Sequence, residues 1–309
     1  PIAGRPSTTY SGARLDRLRR GELPRPGDRR IRRPLLDRLL PIWAAIVFVF
    51  LFAPIIVIVV YSFNTGRLLS SFDEFGFDSF LALFRKPVLM DAVMVSLRTG
   101  AIAAVLATLL GTLAGIALAR KPGRWTAWFV GLLILVSVTP EIVDAISLLP
   151  WLVFLGQDLG ISIFNDGTVR LVIGHSLFSV AVVSYIVRAR LVGLPANLEE
   201  ASADLYAPPL RTFRKITLPL AMPAVLAGLL LSFTFSLDNT IVSSFVQVSG
   251  ATPWPVYVLS ALRGGLRPEI AAVSTIMLVL TLIALGVVAL VLRRAGDSST
   301  QIARTLAGG

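Results

Sequence analysis

Three acidic residues, Glu141, Asp144 and Asp238, interrupt otherwise apolar stretches of the chain. A carboxylate in a stretch able to enter a bilayer is costly, and such groups face a bundle interior or a water-filled path. Asn239 follows Asp238, and Ser232, Ser236, Asn239 and Ser243 recur at separations of four, three and four, a polar row on one helical face. A row of this kind suggests the lining of a path, beside which Trp151, Trp254 and Tyr257 are aromatic faces that could attract a cation. The competing reading is structural, with the acids neutralised by Arg98 and Arg170. His175, the one histidine, reads as packed and hydrogen-bonded, because no partner for a proton relay can be named.

Nothing else in the sequence reads as catalytic or metal-binding. The absence of cysteine removes thiolate nucleophiles and thiolate metal sites. There is no G-x-x-x-x-G-K-[ST] phosphate loop, so any ATP hydrolysis would have to come from another chain. No cofactor is expected in this chain, and it is not expected to be an enzyme.

The elements that position these residues are membrane spans. Of 309 residues, 55% are hydrophobic and 15% charged, against about 45–50% and about 25% in soluble domains. Residues Pro41 to Phe63, Thr99 to Ala119 and Ile270 to Leu292 carry no charge and reach spanning length. The first such run follows a long polar segment, so it reads as a retained span and not a cleaved leader. Less regular spans cover 125 to 148, 171 to 187 and 216 to 237, which makes six in an all-α membrane protein.

Charge sets the expected orientation. The segment before Pro41, the 120–124 turn, the 188–215 loop and the C-terminal end hold 22 of the 29 basic residues, and positive residues are retained inside. Both termini are therefore expected to be cytoplasmic. Trp43, Trp125, Trp128, Trp151 and Trp254 all fall near span ends, at the level where the amphipathic ring prefers to sit. Residues 1–40, with 11 of the basic residues, read as a disordered tail drawn to anionic lipid and not to nucleic acid. Residues 41–292 form the six-span membrane domain and 293–309 a short cytoplasmic tail. Gly111 and Gly115 make a G-x-x-x-G in the second span, a possible site of close helix approach.

The loop after span four is long, and its chemistry is specific. Asn197 and Glu200 have the spacing of a capping pair that opens a short helix through about Leu205. Pro208 and Pro209 end it and start a second short helix running to Ile216. Glu200-Ala201-Ser202, three residues, Tyr206, nine residues and Ile216-Thr217-Leu218-Pro219 resemble the EAA loop of binding-protein-dependent ABC importers. Thr139 to Leu149, Leu231 to Asn239, Val242 to Val246 and Arg267 to Ile270 narrow the resemblance to the second permease subunit of spermidine/putrescine importers.

That resemblance implies a type I ABC importer permease fold in the bacterial cytoplasmic (inner) membrane. It implies a second permease subunit, two ATP-binding subunits holding ATP and Mg, and an extracytoplasmic substrate-binding protein. The 197–219 loop would then couple to the ATPase, with Ala201, Leu205 and Phe213 as groove anchors, Glu199 and Asp204 as rim, and Glu200 and Tyr206 in the contact. Glu141, Asp144, Asp238, Asn239, Ser232 and Ser236 would line the substrate path. Tyr206 stands where the family has glycine and Ser202 where it has alanine. Asn239 replaces a second aspartate, and Asp144 is an acid at an apolar position. The alternatives are an ABC permease for another small solute, of iron or thiamine type, and a secondary transporter driven by an ion gradient.

Overall fold

The computed structural model describes residues 34–120, 123–194 and 197–294. The basic segment 1–33 and the end 295–309 lie outside the described residues. Twelve α-helices occur among those described. They are α1 Pro34–Tyr61, α2 Asp78–Arg85, α3 Pro87–Arg120, α4 Arg124–Val138, α5 Glu141–Val153, α6 Gly167–Val192, α7 Asn197–Asp204, α8 Pro209–Thr212, α9 Leu218–Asp238, α10 Ile241–Val246, α11 Trp254–Ala261 and α12 Pro268–Arg294. The only strand-like pairing among the described residues is an isolated bridge between Asn64 and Phe75.

Among the described residues, five stretches are long and apolar enough to span a bilayer: Leu39–Tyr61, Pro87–Arg120, Gly167–Val192, Pro209–Asp238 and Pro268–Leu290. The pair α4 and α5, bent by 104°, makes the sixth span when counted as one. The bend has a local cause. Pro140 lacks an N–H and restricts the residue before it to extended backbone, and Thr139 is extended at φ −61° and ψ 128°. The less regular third span of the sequence reading is thus made of two helices at a sharp angle.

The helix α1 begins at Pro34, ahead of the apolar stretch that starts at Leu39. Proline is tolerated in a first helical turn, where its missing N–H has no intrahelical partner to lose. The leucines that follow are good helix formers.

Of the described residues, 34–56 form one unit and 57–294 a second, compact one that includes the last turn of α1. At its centre α3, α6 and α9 pack against one another through small residues. A Cβ on Gly111 would lie 2.6 Å from Val183 Cβ, and one on Gly115 would lie 2.8 Å from the Ser184 carbonyl oxygen. The G-x-x-x-G is thus a contact at which only glycine fits. Ala103, Ala104, Ala107, Ala221, Ala224 and Ala227 continue the same close packing and are fully buried. Large apolar side chains such as Val105, Leu109, Leu113 and Leu282 point outward, as they do where lipid is the solvent.

Candidate functional site: a polar break between helices

The break that ends α9 is where the sequence-predicted polar residues converge. Asn239 leaves the helix at φ −68° and ψ 95°, and α10 starts two residues later. Its side-chain Oδ1 accepts from the N–H groups of Val242 at 3.1 Å and Ser243 at 3.4 Å, which satisfies the first turn of α10. Its Nδ2 donates to Glu141 Oε1 at 2.7 Å. Glu141 is the first residue of α5, and Asp144 shares that first turn. Negative groups there are favoured by the peptide dipoles of the helix.

Glu141 and Asp238 are exposed, whereas Asp144 and Asn239 are half-buried. Asp238 and Asp144 lie near enough for their charges to act on Glu141. The pairing of these acids with Arg98 and Arg170 is not found. Arg170 donates from Nε to the Phe164 carbonyl at 2.6 Å and from a terminal nitrogen to Asn165 Oδ1 at 3.4 Å. Arg98 is exposed. Among the described residues the ion pairs are Lys86 with Glu269 and Arg120 with Glu199, neither of which involves the cluster. The acids therefore remain available to a cation.

The serines go elsewhere. Ser232, Ser236 and Ser243 are buried within the chain, and the interruption at Asn239 ends the single helical face that joined them. Ser236 Oγ meets His175 Nδ1 at 2.5 Å and Ser243 Oγ meets His175 Nε2 at 2.8 Å. His175 is packed and hydrogen-bonded, as the sequence suggests, although its two partners were not foreseen. Of the aromatic candidates, Trp254 is 6% exposed and its backbone N–H donates to Ser96 Oγ at 2.7 Å, so it belongs to the core. Trp151 is exposed on α5 and stacks on Phe154 with ring centroids 5.8 Å apart.

The loop after α6 forms the second functional element. α7 opens at Asn197 and ends at Asp204. The second short helix does not stop near Ile216: α8 passes through a wider π-helical turn, Phe213–Thr217, directly into α9. Such turns occur often at functional places in helices. Tyr206 has φ +55°, the only positive value among the described non-glycine residues. The turn expected to use glycine is therefore made in the same conformation by a tyrosine, whose side chain is 95% exposed. Leu205 is 82% exposed, and Glu200, Ala201 and Asp204 are exposed too, while Phe213 is half-buried.

Glu199 departs from its expected place at the rim. Its Oε1 accepts from Arg120 Nε at 3.0 Å and from Thr217 Oγ1 at 2.9 Å, tying α7 to the end of α3 and the start of α9. Ser202, the residue in place of alanine, is buried and its hydroxyl bonds Thr212 Oγ1 at 2.7 Å across α7 and α8. Arg120, Thr212 and Thr217 were missed in the sequence because no motif or period links them to the loop.

A family model for "Binding-protein-dependent transport system inner membrane component" matches residues 107–301. The putrescine transport system permease protein PotI of Escherichia coli (strain K12) is 38% identical over 233 residues, 75% of this chain and 82% of that protein. The spermidine/putrescine transport system permease protein PotC of Haemophilus influenzae is 38% identical over 237 residues, 77% of this chain and 90% of that protein. Among solved structures, a chain of a bacterial ABC transporter that imports alginate aligns with a TM-score of 0.63 at 16% identity, covering 94% of this chain and 100% of that one. A chain of the methionine ABC transporter MetNI aligns at 0.57 and 16% identity, covering 68% and 97%. These two likenesses bear on the fold.

Proposed function

This chain belongs to the binding-protein-dependent transport system inner membrane components, and from that membership we propose that its cargo is a polyamine, putrescine or spermidine. As a member it is a multi-pass inner-membrane protein and a permease subunit of an ABC importer. The observation that carries the cargo reading is the group Glu141, Asp144 and Asp238, which lies near Asn239 at the broken ends of two spans and makes no ion pair with a Lys or Arg among the described residues. Relatives whose names state putrescine and spermidine support it.

An ammonium group entering this place exchanges water for carboxylate oxygen. At 4 Å and an effective dielectric constant near 20, the attraction is about 4 kcal/mol, enough to offset much of the lost hydration. Asn239 holds one oxygen of Glu141 and leaves the other to the cargo. Release follows when the angle between α9 and α10, or between α4 and α5, changes and the carboxylates separate.

The force for that change comes from a separate pair of ATP-binding subunits, which hold ATP and Mg. They dock on the exposed side chains of Glu200, Ala201, Asp204, Leu205 and Tyr206, with Phe213 beside them. A second permease subunit completes the path, and an extracytoplasmic binding protein delivers the cargo. Both termini are then cytoplasmic, and the basic N-terminal segment lies on anionic lipid. In proteoliposomes holding the complex, ATP-driven uptake should favour putrescine or spermidine over thiamine and ferric chelates. Uptake of thiamine or iron in preference to both polyamines would overturn the cargo.

A further inference from the structure

His175 sits on α6 with 4% of its surface exposed, and both of its ring nitrogens are engaged. Ser236 belongs to the last turn of α9 and Ser243 to the first turn of α10. One imidazole therefore spans the interruption at Asn239 and Thr240. A neutral imidazole carries one donor and one acceptor nitrogen, and a serine hydroxyl can serve either, so both contacts are satisfied in either tautomer. The ring's own backbone is held close to α10: a Cβ on the preceding Gly174 would lie 2.6 Å from Val242 Cγ1.

A helix interrupted away from water leaves backbone groups that something must satisfy, and its two halves need something to fix their angle. Asn239 provides the first, through its Oδ1 bonds to α10. Its bonds leave the angle to α9 open, because Asn239 and Thr240 are themselves the hinge. The planar ring of His175 fixes the separation of one hydroxyl on each side of that hinge. That separation decides where the Asn239 amide lies, and so whether it reaches Glu141.

We propose that His175 is a positioning residue for the cargo site, a staple across the break that holds Asn239 against Glu141. The inference rests on the reading of Glu141 and Asn239 as cargo contacts. It predicts that the staple acts on cargo affinity through Asn239 and on the geometry of the break directly. Replacement by leucine removes both bonds, glutamine can restore the Nε2 contact with Ser243, and asparagine the Nδ1 contact with Ser236. Ser243→Ala removes one bond with little change in volume.

The test uses the complete complex in proteoliposomes and reads two quantities. The first is the labelling rate of a cysteine at Ile241→Cys, an exposed position in a chain that has no other cysteine. His175→Leu should change that rate about fivefold or more, the size of one lost hydrogen bond, with Ser243→Ala changing it less and in the same direction. The second is putrescine uptake, where His175→Leu should raise KM more than it lowers kcat, with partial rescue by His175→Gln or His175→Asn. In an Asn239→Ala background His175→Leu should add nothing to KM, because the two act in series. An unchanged labelling rate in both His175→Leu and Ser243→Ala, or KM effects that add in the double variant, would overturn the staple. If the wild-type complex takes up no polyamine, the cargo reading fails, and the labelling rate still decides the staple.

Discussion

Asn239 does something that the aspartate expected from the resemblance could not. Its oxygen caps α10 while its nitrogen donates to Glu141, and an aspartate would keep the cap and set a second negative charge against Glu141. Asn239→Asp should therefore lower polyamine uptake about tenfold, the scale of one hydrogen bond to a charged group. Asn239→Ala should do the same while also weakening the start of α10. Uptake of labelled putrescine by the two variants, normalised to assembled complex, measures this. Tyr206 poses the opposite problem, since a left-handed backbone costs a non-glycine residue about 1–2 kcal/mol and its side chain is 95% exposed among the described residues. In the docking account the partner ATPase supplies the contact, so Tyr206→Gly should relax the turn yet weaken ATPase binding, measured by titrating the ATPase onto the purified permease pair. Equal or tighter binding would assign the tyrosine no docking role. The acids and the odd tyrosine were legible in the sequence because each breaks a local rule of composition or conformation. The serine row was legible only as a face of a continuous helix, and Asn239 ends that helix.

At the scale of elements, the 197–219 loop and the polar break share one body. α8 continues through the Phe213–Thr217 turn into α9, which holds Pro223 and ends at Asp238, so in the proposed mechanism a push on the loop is carried along one continuous helix to the polar break. Glu199 connects this body to α3 and α7 through Arg120 and Thr217. Glu199→Ala should leave the exposed docking side chains in place but loosen their attachment. The expected result is ATP hydrolysis that persists while uptake per ATP falls several-fold, measured by parallel phosphate release and uptake. Glu200→Arg, which alters the docking face itself, should instead reduce hydrolysis along with uptake. Sequence spacing located this loop, since its motif is local. Spacing could not reveal that Glu199 turns inward, because Arg120 lies 79 positions away. The bend between α4 and α5 was written in Pro140, but its 104° angle depends on where α5 finds its packing partners, Leu171, Val242 and Val246.

For the whole molecule, the apolar spans mark a membrane protein, and the excess of basic residues on one side carries the proposed direction. With no native cysteine, single cysteines report that direction without background. Ile163→Cys and Ser249→Cys should react with an impermeant reagent added from outside, and Ala203→Cys only after permeabilisation. Reaction of Ala203→Cys from outside would reverse the orientation and remove the loop from the ATPase. The spans were legible because burial in lipid selects composition over long runs. Helix contacts such as Gly111 on Val183 were only half legible, since small residues permit close approach without naming the partner. The central claim is that ATP drives a polyamine past the carboxylates at the polar break. The measurement that tests it most directly is putrescine uptake into proteoliposomes that contain the assembled importer, comparing wild type with the Glu141→Gln, Asp238→Asn double variant, with ATP present and with only an ion gradient. The account predicts uptake in wild type that requires ATP and falls at least tenfold in an assembled double variant, whereas undiminished uptake by that variant, or uptake driven by the gradient alone, would contradict it.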